Sequence, residues 1–475
     1  MWEKVDKRKG SAYRQIMDQI IKEIENGHLS PGERLPSERN LAESFQVNRT
    51  TVVHALDELR ALGIIASQQG SGRFVRKATW GEFTEPRIDW RQLISQRYEK
   101  LTDNYEEKIK EARRQSDFID LYSSEMPLEL LPNFQIPTYS LEEILQEEQF
   151  ITAFGYRPLI EKVSNYLKNS TQILLDDSRL LITSGGQQAI FLVLQTILSM
   201  GEAIAVETPS FFYRLPLFKA IGIRLFGIPM DEEGIDLVKL EEAILKHQIK
   251  AILVNPNFQN PTGKVMSYQR RKELVDLCRK YQLPIIEDDV FADLKLSQVE
   301  KATIPSLYSI DPKNVLYIGS LSLILGKTTK IGWILGPRSF VGQLAEAQKM
   351  MEFSMSIFTQ VVACAVFDET FERKIKVLRN DLRKRSGWLE NWANAQTFFD
   401  LAPIYGGYYA WISWKGRKLT NKLAEKIIDE GVGIAPNFLF GEETNGFRIN
   451  FSRLKESDLP RFADVMDQLS RWLAE

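Results

Sequence analysis

At 475 residues the chain is too long for one hydrophobic core, and two or three domains are expected. Its 44% hydrophobic and 26% charged residues are the mix of a soluble globular protein, and no run of eighteen apolar residues is present to span a membrane. A net charge of −2 does not announce a nucleic-acid binder. The start, Met1-Trp2-Glu3-Lys4, lacks the apolar core of a signal peptide, so a cytoplasmic location is expected. Cys278 and Cys364 lie in apolar helical contexts without metal-ligand spacing, which predicts buried thiols and neither a disulfide nor a metal site.

The first patterned stretch runs from Pro31 to Val75. Ser37 reads as an N-cap before Asn40-Leu41-Ala42-Glu43, and Asn48 as the cap of a longer helix with Val52, Ala55, Leu56 and Leu59 at helical spacing. Two short helices joined by a tight turn make a helix-turn-helix. The second carries Arg49, Thr50, Thr51 and His54 near its start, the end that enters a major groove. There Arg reaches guanine edges, and Thr reaches phosphates or a thymine methyl. Gly70-Ser71-Gly72, between two β-prone runs, reads as a hairpin tip whose backbone can approach a phosphate, a wing. Residues 1–76 hold 12 Lys and Arg against 10 Asp and Glu, leaving 49 against 53 elsewhere. Affinity for DNA must then come from local placement of arginines and from two copies of the domain on a two-fold site.

Residues 77–116 change character: residues 78–86 have no clear period, and residues 98–114 are a dense run of alternating charges. Two readings fit, a tether for the head or a solvated helix on the main body. The boundary is placed near Asp117, giving domains over residues 1–76 and 117–475 with a linker between them. Beyond it, apolar runs at Leu180–Thr183, 203–206, 251–254, 283–288 and 315–319 alternate with helices such as Gly186 to Ser199 and Tyr268 to Tyr281. That alternation predicts an α/β fold with a mostly parallel sheet covered on both faces, and ligands outside the carboxyl ends of its strands.

Motifs stand where that rule puts them. Ser184-Gly185-Gly186-Gln187-Gln188 follows a strand and opens a helix, so its free N–H groups and the helix dipole form an anion site. Glu207-Thr208-Pro209-Ser210-Phe211, the Asn255 to Gly263 stretch and Glu287-Asp288-Asp289 follow other strands. Near the carboxyl end, Phe447-Arg448-Ile449-Asn450 places an arginine inside an apolar strand.

Residues 11–76, through Tyr13, Ile16, Leu35 to Arg39, Arg49-Thr50-Thr51-Val52 and Gly70-Ser71-Gly72, resemble the GntR family of winged-helix repressors. The resemblance implies that Arg39, Arg49, Thr50, Thr51 and the wing touch operator DNA; Asn48, His54, Ser71 and Gly72 complete the expected surface. Residues 117–475 resemble the fold-type I aminotransferases, dependent on pyridoxal phosphate, with Asn260-Pro261-Thr262-Gly263 as the most specific marker. This implies a mostly parallel central sheet and a smaller C-terminal α+β subdomain. It also implies that Gly185, Gly186 and Gln187 hold the cofactor phosphate, that Phe211 stacks on the pyridine ring and that Asn260 faces its 3-oxygen. Asp288 would keep the ring nitrogen protonated, and Arg448 would grip a substrate or effector carboxylate. The pair of domains is the signature of the MocR subgroup, which implies a homodimer, operator DNA and a small-molecule effector, pyridoxal phosphate itself or an amino compound.

The departures from the pattern carry the functional expectation. Tyr317-Ile318-Gly319-Ser320-Leu321-Ser322-Leu323 aligns Leu323 with the Schiff-base lysine, and a leucine cannot form an imine. Phe291 and Phe150 stand for tyrosines, and Lys330 for the phosphate-binding arginine, while Ser322 is kept. The expectation is a DNA-binding regulator whose aminotransferase-like domain is a catalytically inactive sensor and dimerisation body. Two alternatives stay open: aldimine chemistry through Lys327 or Lys330, and a working aminotransferase with an incidental head.

Overall fold

The computed structural model describes residues 2–6, 10–30, 32–68, 72–76, 104–171, 180–296, 304–326, 329–352, 355–441 and 445–474, with side chains except at 25, 68, 170, 171 and 352. Gly70, Ser71, Lys327 and residues 77–103 lie outside them, so the expected wing contact at Ser71, the displaced lysine and most of the expected tether are not described. The chain divides into two units, Met1–Ser95 and Gln96–Glu475.

In the first unit, α1 (Ala12–Glu25) turns Ile16, Ile20 and Ile24, four residues apart, into the core. Helix α2 (Glu38–Phe45) starts where expected: the Ser37 hydroxyl accepts from the Asn40 N–H at 3.2 Å. Its end turns at Gln46, whose φ of 54° is left-handed. Helix α3 (Arg49–Ala61) buries Val52, Ala55, Leu56 and Leu59. Asn48 occupies its N-cap position, yet its side chain makes no capping hydrogen bond among the described residues, a correction to its expected role. Strand β1 (Ile65–Gln68) pairs antiparallel with β2 (Gly72–Val75), Ile65 facing Val75, which forms the two arms of the wing. Phe45, fully buried against Trp2 at 5.2 Å between ring centroids, contributes roughly 2–3 kcal/mol by burial.

The first element described in the second unit is α4 (Asn104–Ala112), which falls in the charged stretch read above as tether or solvated helix. It buries Tyr105, Ile109 and Ala112, and the Tyr105 hydroxyl donates to the Ile434 carbonyl at 2.7 Å. Seven strands then build the main sheet: β3 (Leu180–Thr183), β4 (Ala203–Thr208), β5 (Arg224–Pro229), β6 (Ile249–Val254), β7 (Ile285–Asp288), β8 (Val315–Ser320) and β9 (Gly332–Leu335). Their order is β3-β9-β8-β7-β6-β4-β5. All neighbours run parallel except β9, which is antiparallel to both β8 and β3. Helix α5 (Gly186–Ile197) follows β3, and α6 (Tyr268–Tyr281) precedes β7 with the bounds that periodicity predicts.

A separate antiparallel sheet holds β10 (Asp400–Leu401), β11 (Tyr409–Ser413), β12 (Ala435–Pro436) and β13 (Phe447–Asn450), in the order β10-β11-β13-β12. This is the smaller α+β subdomain, with Arg448 on β13 opposite Trp411 on β11. Cys278 is buried, which pushes its thiol up to about 12; Cys364 is only half-buried, where a fully buried thiol is expected from its apolar context.

Candidate functional site

On the first unit, Arg39, Asn48, Arg49 and Thr50 are exposed on α2 and at the start of α3, and Thr51 is half-buried. His54 is exposed but packs its ring on Tyr13 at 4.6 Å, which spends one face of the imidazole within the unit. Arg39 pairs with Glu43 one turn on at 3.2 Å, an exposed contact of little energetic weight. Gly72 has a φ of 104°, and a side chain there would meet the Arg34 guanidinium at 2.9 Å. Arg73, beside it, was not singled out by the sequence, yet its guanidinium reaches Glu38 and Asp57, each at 3.2 Å.

In the second unit the strand ends enclose a cavity of about 720 Å³. Gly185, Gly186, Gln187, Phe211, Asn260, Asp288, Ser322 and Lys330 all stand on its wall, together with Leu323. They arrive from five strand-to-helix connections, which is why they are far apart in the chain. Gly185 sits before α5 with φ 90° and ψ 170°, a conformation reserved for glycine, and aims the first N–H groups of the helix at the cavity. A side chain on Gly332 would strike the Gly185 carbonyl carbon at 2.7 Å, so β9 and the helix start need each other's bareness. Ser322 Oγ and Lys330 Cβ stand 3.3 and 3.7 Å from where a Gly185 Cβ would lie, beside the same N–H groups. This end of the cavity gathers donors and one cation, the chemistry that holds a phosphate.

Elsewhere on the wall Asp288, at the end of β7, is buried, and its Oδ1 has no partner among the described residues. Burial and the neighbouring Asp289 push its carboxyl up to about 7. Asn255 braces the region: its side-chain amide donates to the Asp288 carbonyl at 2.7 Å, and its Oδ1 accepts from the Asn260 N–H at 2.8 Å. Its own N–H donates to Glu207 at 2.9 Å, a fully buried carboxyl pushed up to about 8 chiefly by desolvation. Phe211 is tied to this wall through its N–H to the Asn260 carbonyl at 2.9 Å.

Arg448 does not stand on the cavity wall. It is fully buried; Nη1 donates to Asn260 Oδ1 at 3.1 Å and Nη2 to the Tyr122 carbonyl at 3.0 Å. The Tyr409 ring lies over its guanidinium at 4.2 Å. Tyr408 and Tyr409, which the sequence reading passed over, do line the cavity, and their hydroxyls donate to the Ser124 carbonyl at 3.1 and 2.6 Å. The Gly406-Gly407 pair ahead of an aromatic strand was the signal available for them. Phe291 is buried against both rings, at 5.6 and 5.7 Å, whereas Phe150 is largely exposed.

Next to Phe211 a second cluster joins three segments. The Glu106 carboxylate on α4 accepts from the Tyr122 hydroxyl at 2.9 Å and from Arg214 Nη2 at 3.0 Å, and Arg214 also donates to the Tyr122 hydroxyl at 2.5 Å. Arg214 closes the short 3-10 turn Phe211–Arg214.

A winged-helix head and a body with this sheet and cavity define a class: a DNA-binding transcriptional regulator built on an aminotransferase-like domain. The family of bacterial regulatory proteins, gntR family, matches residues 12–75, and aminotransferase class I and II matches residues 116–466. The chain belongs to the MocR subgroup of GntR-family transcriptional regulators, whose aminotransferase-type domain is of a family that uses pyridoxal phosphate. It is 32% identical over 466 residues to the HTH-type transcriptional regulator YdfD of Bacillus subtilis, covering 94% of each chain. To the HTH-type transcriptional regulator YisV of the same strain it is 29% identical, covering 96% of each. Its fold is similar to that of kynurenine aminotransferase of Pyrococcus horikoshii, with a TM-score of 0.71 and 24% identity over 81% of this chain and 98% of that one. Among the described residues no helix is long and apolar enough to cross a membrane.

Proposed function

We propose that the aminotransferase-like domain is a sensor and dimerisation body that takes pyridoxal phosphate, or a preformed adduct of it with an amine, without covalent attachment and without transamination. The observation that carries the reading is Leu323. It stands on the wall of a cavity that gathers all eight expected cofactor-binding residues, and it offers no amine at the aligned Schiff-base position.

The residues present suit the cofactor. The bare Gly185-Gly186 turn, Ser322 and Lys330 would hold the phosphate, Phe211 would lie along the ring, and the unpartnered Oδ1 of Asp288 would accept from the ring nitrogen. When bound, the cofactor supplies an electron-poor ring and an aldehyde. The chain's own groups would orient and enclose it, and the Asp288 carboxylate would hold one proton at the ring nitrogen. The Lys330 Cβ stands beside the helix start, which supports reading this residue as a phosphate partner and not as a substitute amine. On the other unit, the exposed start of α3 is the reading edge, and two heads in a dimer meet a repeated or inverted site. A ligand changes that meeting only through unequal affinity for two arrangements of the dimer.

Titration of the purified protein with pyridoxal phosphate, followed by absorption, borohydride reduction and mass analysis, tests the sensor reading. Saturable binding that leaves no mass on the chain after reduction is expected. A reducible adduct on Lys327 or Lys330 would overturn it in favour of covalent chemistry.

A further inference from the structure

Two arginines of the DNA-binding unit converge on one carboxylate from different elements. Glu38 stands at the first position of α2. Its Oε2 accepts from Nε and Nη2 of Arg49, at 3.0 and 2.8 Å, from the start of α3. Its Oε1 accepts from Nη2 of Arg73 at 3.2 Å, from β2 immediately after the wing glycine. The same Nη2 lies 3.2 Å from Oδ1 of Asp57, on α3. Arg73 is 18% exposed and its Nη1 is buried with no partner among the described residues, while Arg49 is 72% exposed. The first arginine is therefore a strut inside the unit and the second a free-ended reader.

The donor arithmetic gives this arrangement a consequence. A guanidinium has five N–H groups in a fixed fork. Glu38 occupies the Nε edge of Arg49, which leaves the Nη1–Nη2 edge, two parallel N–H groups, pointing away from its own protein partner. That edge is the one that fits O6 and N7 of a guanine. A carboxylate beside it repels phosphates, so a duplex that offers phosphates alone gains less from Arg49 than one that offers a guanine in register.

We propose that Glu38 is a positioning residue for sequence reading: it orients the Arg49 fork, ties the wing to the helix-turn-helix through Arg73, and suppresses indiscriminate binding by its charge. The proposal rests on the start of α3 being the DNA-facing end. Removing the charge while keeping the shape then raises affinity for any duplex and lowers the preference for the right one.

The test uses the full-length protein. A duplex is first selected from a randomised pool by the parent protein, and affinities for it and for a scrambled duplex are measured over a range of salt for the parent, Glu38→Gln, Glu38→Asp and Arg49→Ala. For Glu38→Gln we expect scrambled-duplex affinity to rise and the selected-to-scrambled ratio to fall by about tenfold, the worth of one good base contact. Glu38→Asp, which retains the charge, should recover part of the ratio, and it serves as the deciding variant if melting shows Glu38→Gln misfolded. A ratio in Glu38→Gln that stays within about twofold of the parent, or two affinities that fall in parallel as a merely structural role requires, overturns the proposal. If Arg49→Ala keeps the parent ratio, the reading of α3 fails first and takes the proposal with it.

Discussion

Asp288→Asn should stabilise the unliganded large unit and weaken its ligand, and the two effects should separate by pH. In the folded chain the Asp288 carboxyl is buried, and its titration is raised from 3.8 to about 7. Below pH 4 it is protonated in both folded and unfolded chains and costs nothing. As pH rises the unfolded chain ionises first, so stability is lost progressively between about pH 4 and pH 7 and is flat above. Three pKa units correspond to about 4 kcal/mol in all, of which about 1.5 has gone by pH 5, leaving roughly 2.5 between pH 5 and pH 8. The amide cannot ionise, so urea unfolding followed by tryptophan fluorescence should show Asp288→Asn gaining on the parent by about that amount from pH 5 to pH 8. Glu207, pushed up to about 8 chiefly by desolvation and in part by the Asp288 charge, adds a slope of its own that is smaller in the variant and so widens the gap in the same direction. Affinity for pyridoxal phosphate at pH 8 should fall in the same variant, because the carboxylate proposed to face the ring nitrogen is gone. An identical stability gap at both pH values would refute the argument.

Two further outcomes are expected. Gly185→Ala forces an L side chain into a glycine-only conformation with Ser322 Oγ 3.3 Å from the new Cβ. It should cost the large unit about 1–3 kcal/mol and loosen phosphate binding, measured by thermal unfolding and cofactor titration; unchanged behaviour would mean that the turn does not hold the phosphate. Leu323→Lys supplies an amine on the cavity wall and should give a borohydride-reducible mass on the introduced lysine at saturating cofactor, where the parent gives none. Binding without that mass would place the ligand's aldehyde away from position 323.

Local chemistry was the legible part of both units. Ser37, the helix Tyr268–Tyr281 and the strand Leu180–Thr183 declare themselves by a cap, a 3.6-residue period and a buried apolar run. The direction of β9 was not legible, because Gly332-Trp333-Ile334-Leu335 is apolar throughout like its parallel neighbours, and a run buried on both faces carries no mark of which way it points. The cofactor-binding set could be gathered because each member follows a strand, and strand ends of such a sheet meet at one edge. Arg448 shows the limit. Its motif is readable, but its enclosure depends on Tyr409 across the β11–β13 ladder and on the Tyr122 carbonyl, contacts 39 and 326 residues away along the chain. Glu38 and Arg73, 35 residues apart, escape local reading for the same reason.

The cluster of Glu106, Tyr122 and Arg214 has a mechanical consequence. Arg214 closes the turn that begins at Phe211, and Glu106 belongs to α4, the first helix described in the second unit. Three hydrogen bonds through partly buried side chains make these two segments a single lever. A ring settling against Phe211 and shifting its turn would pull on α4 through these bonds, whereas a ligand that fills the cavity without moving that turn would leave α4 where it is.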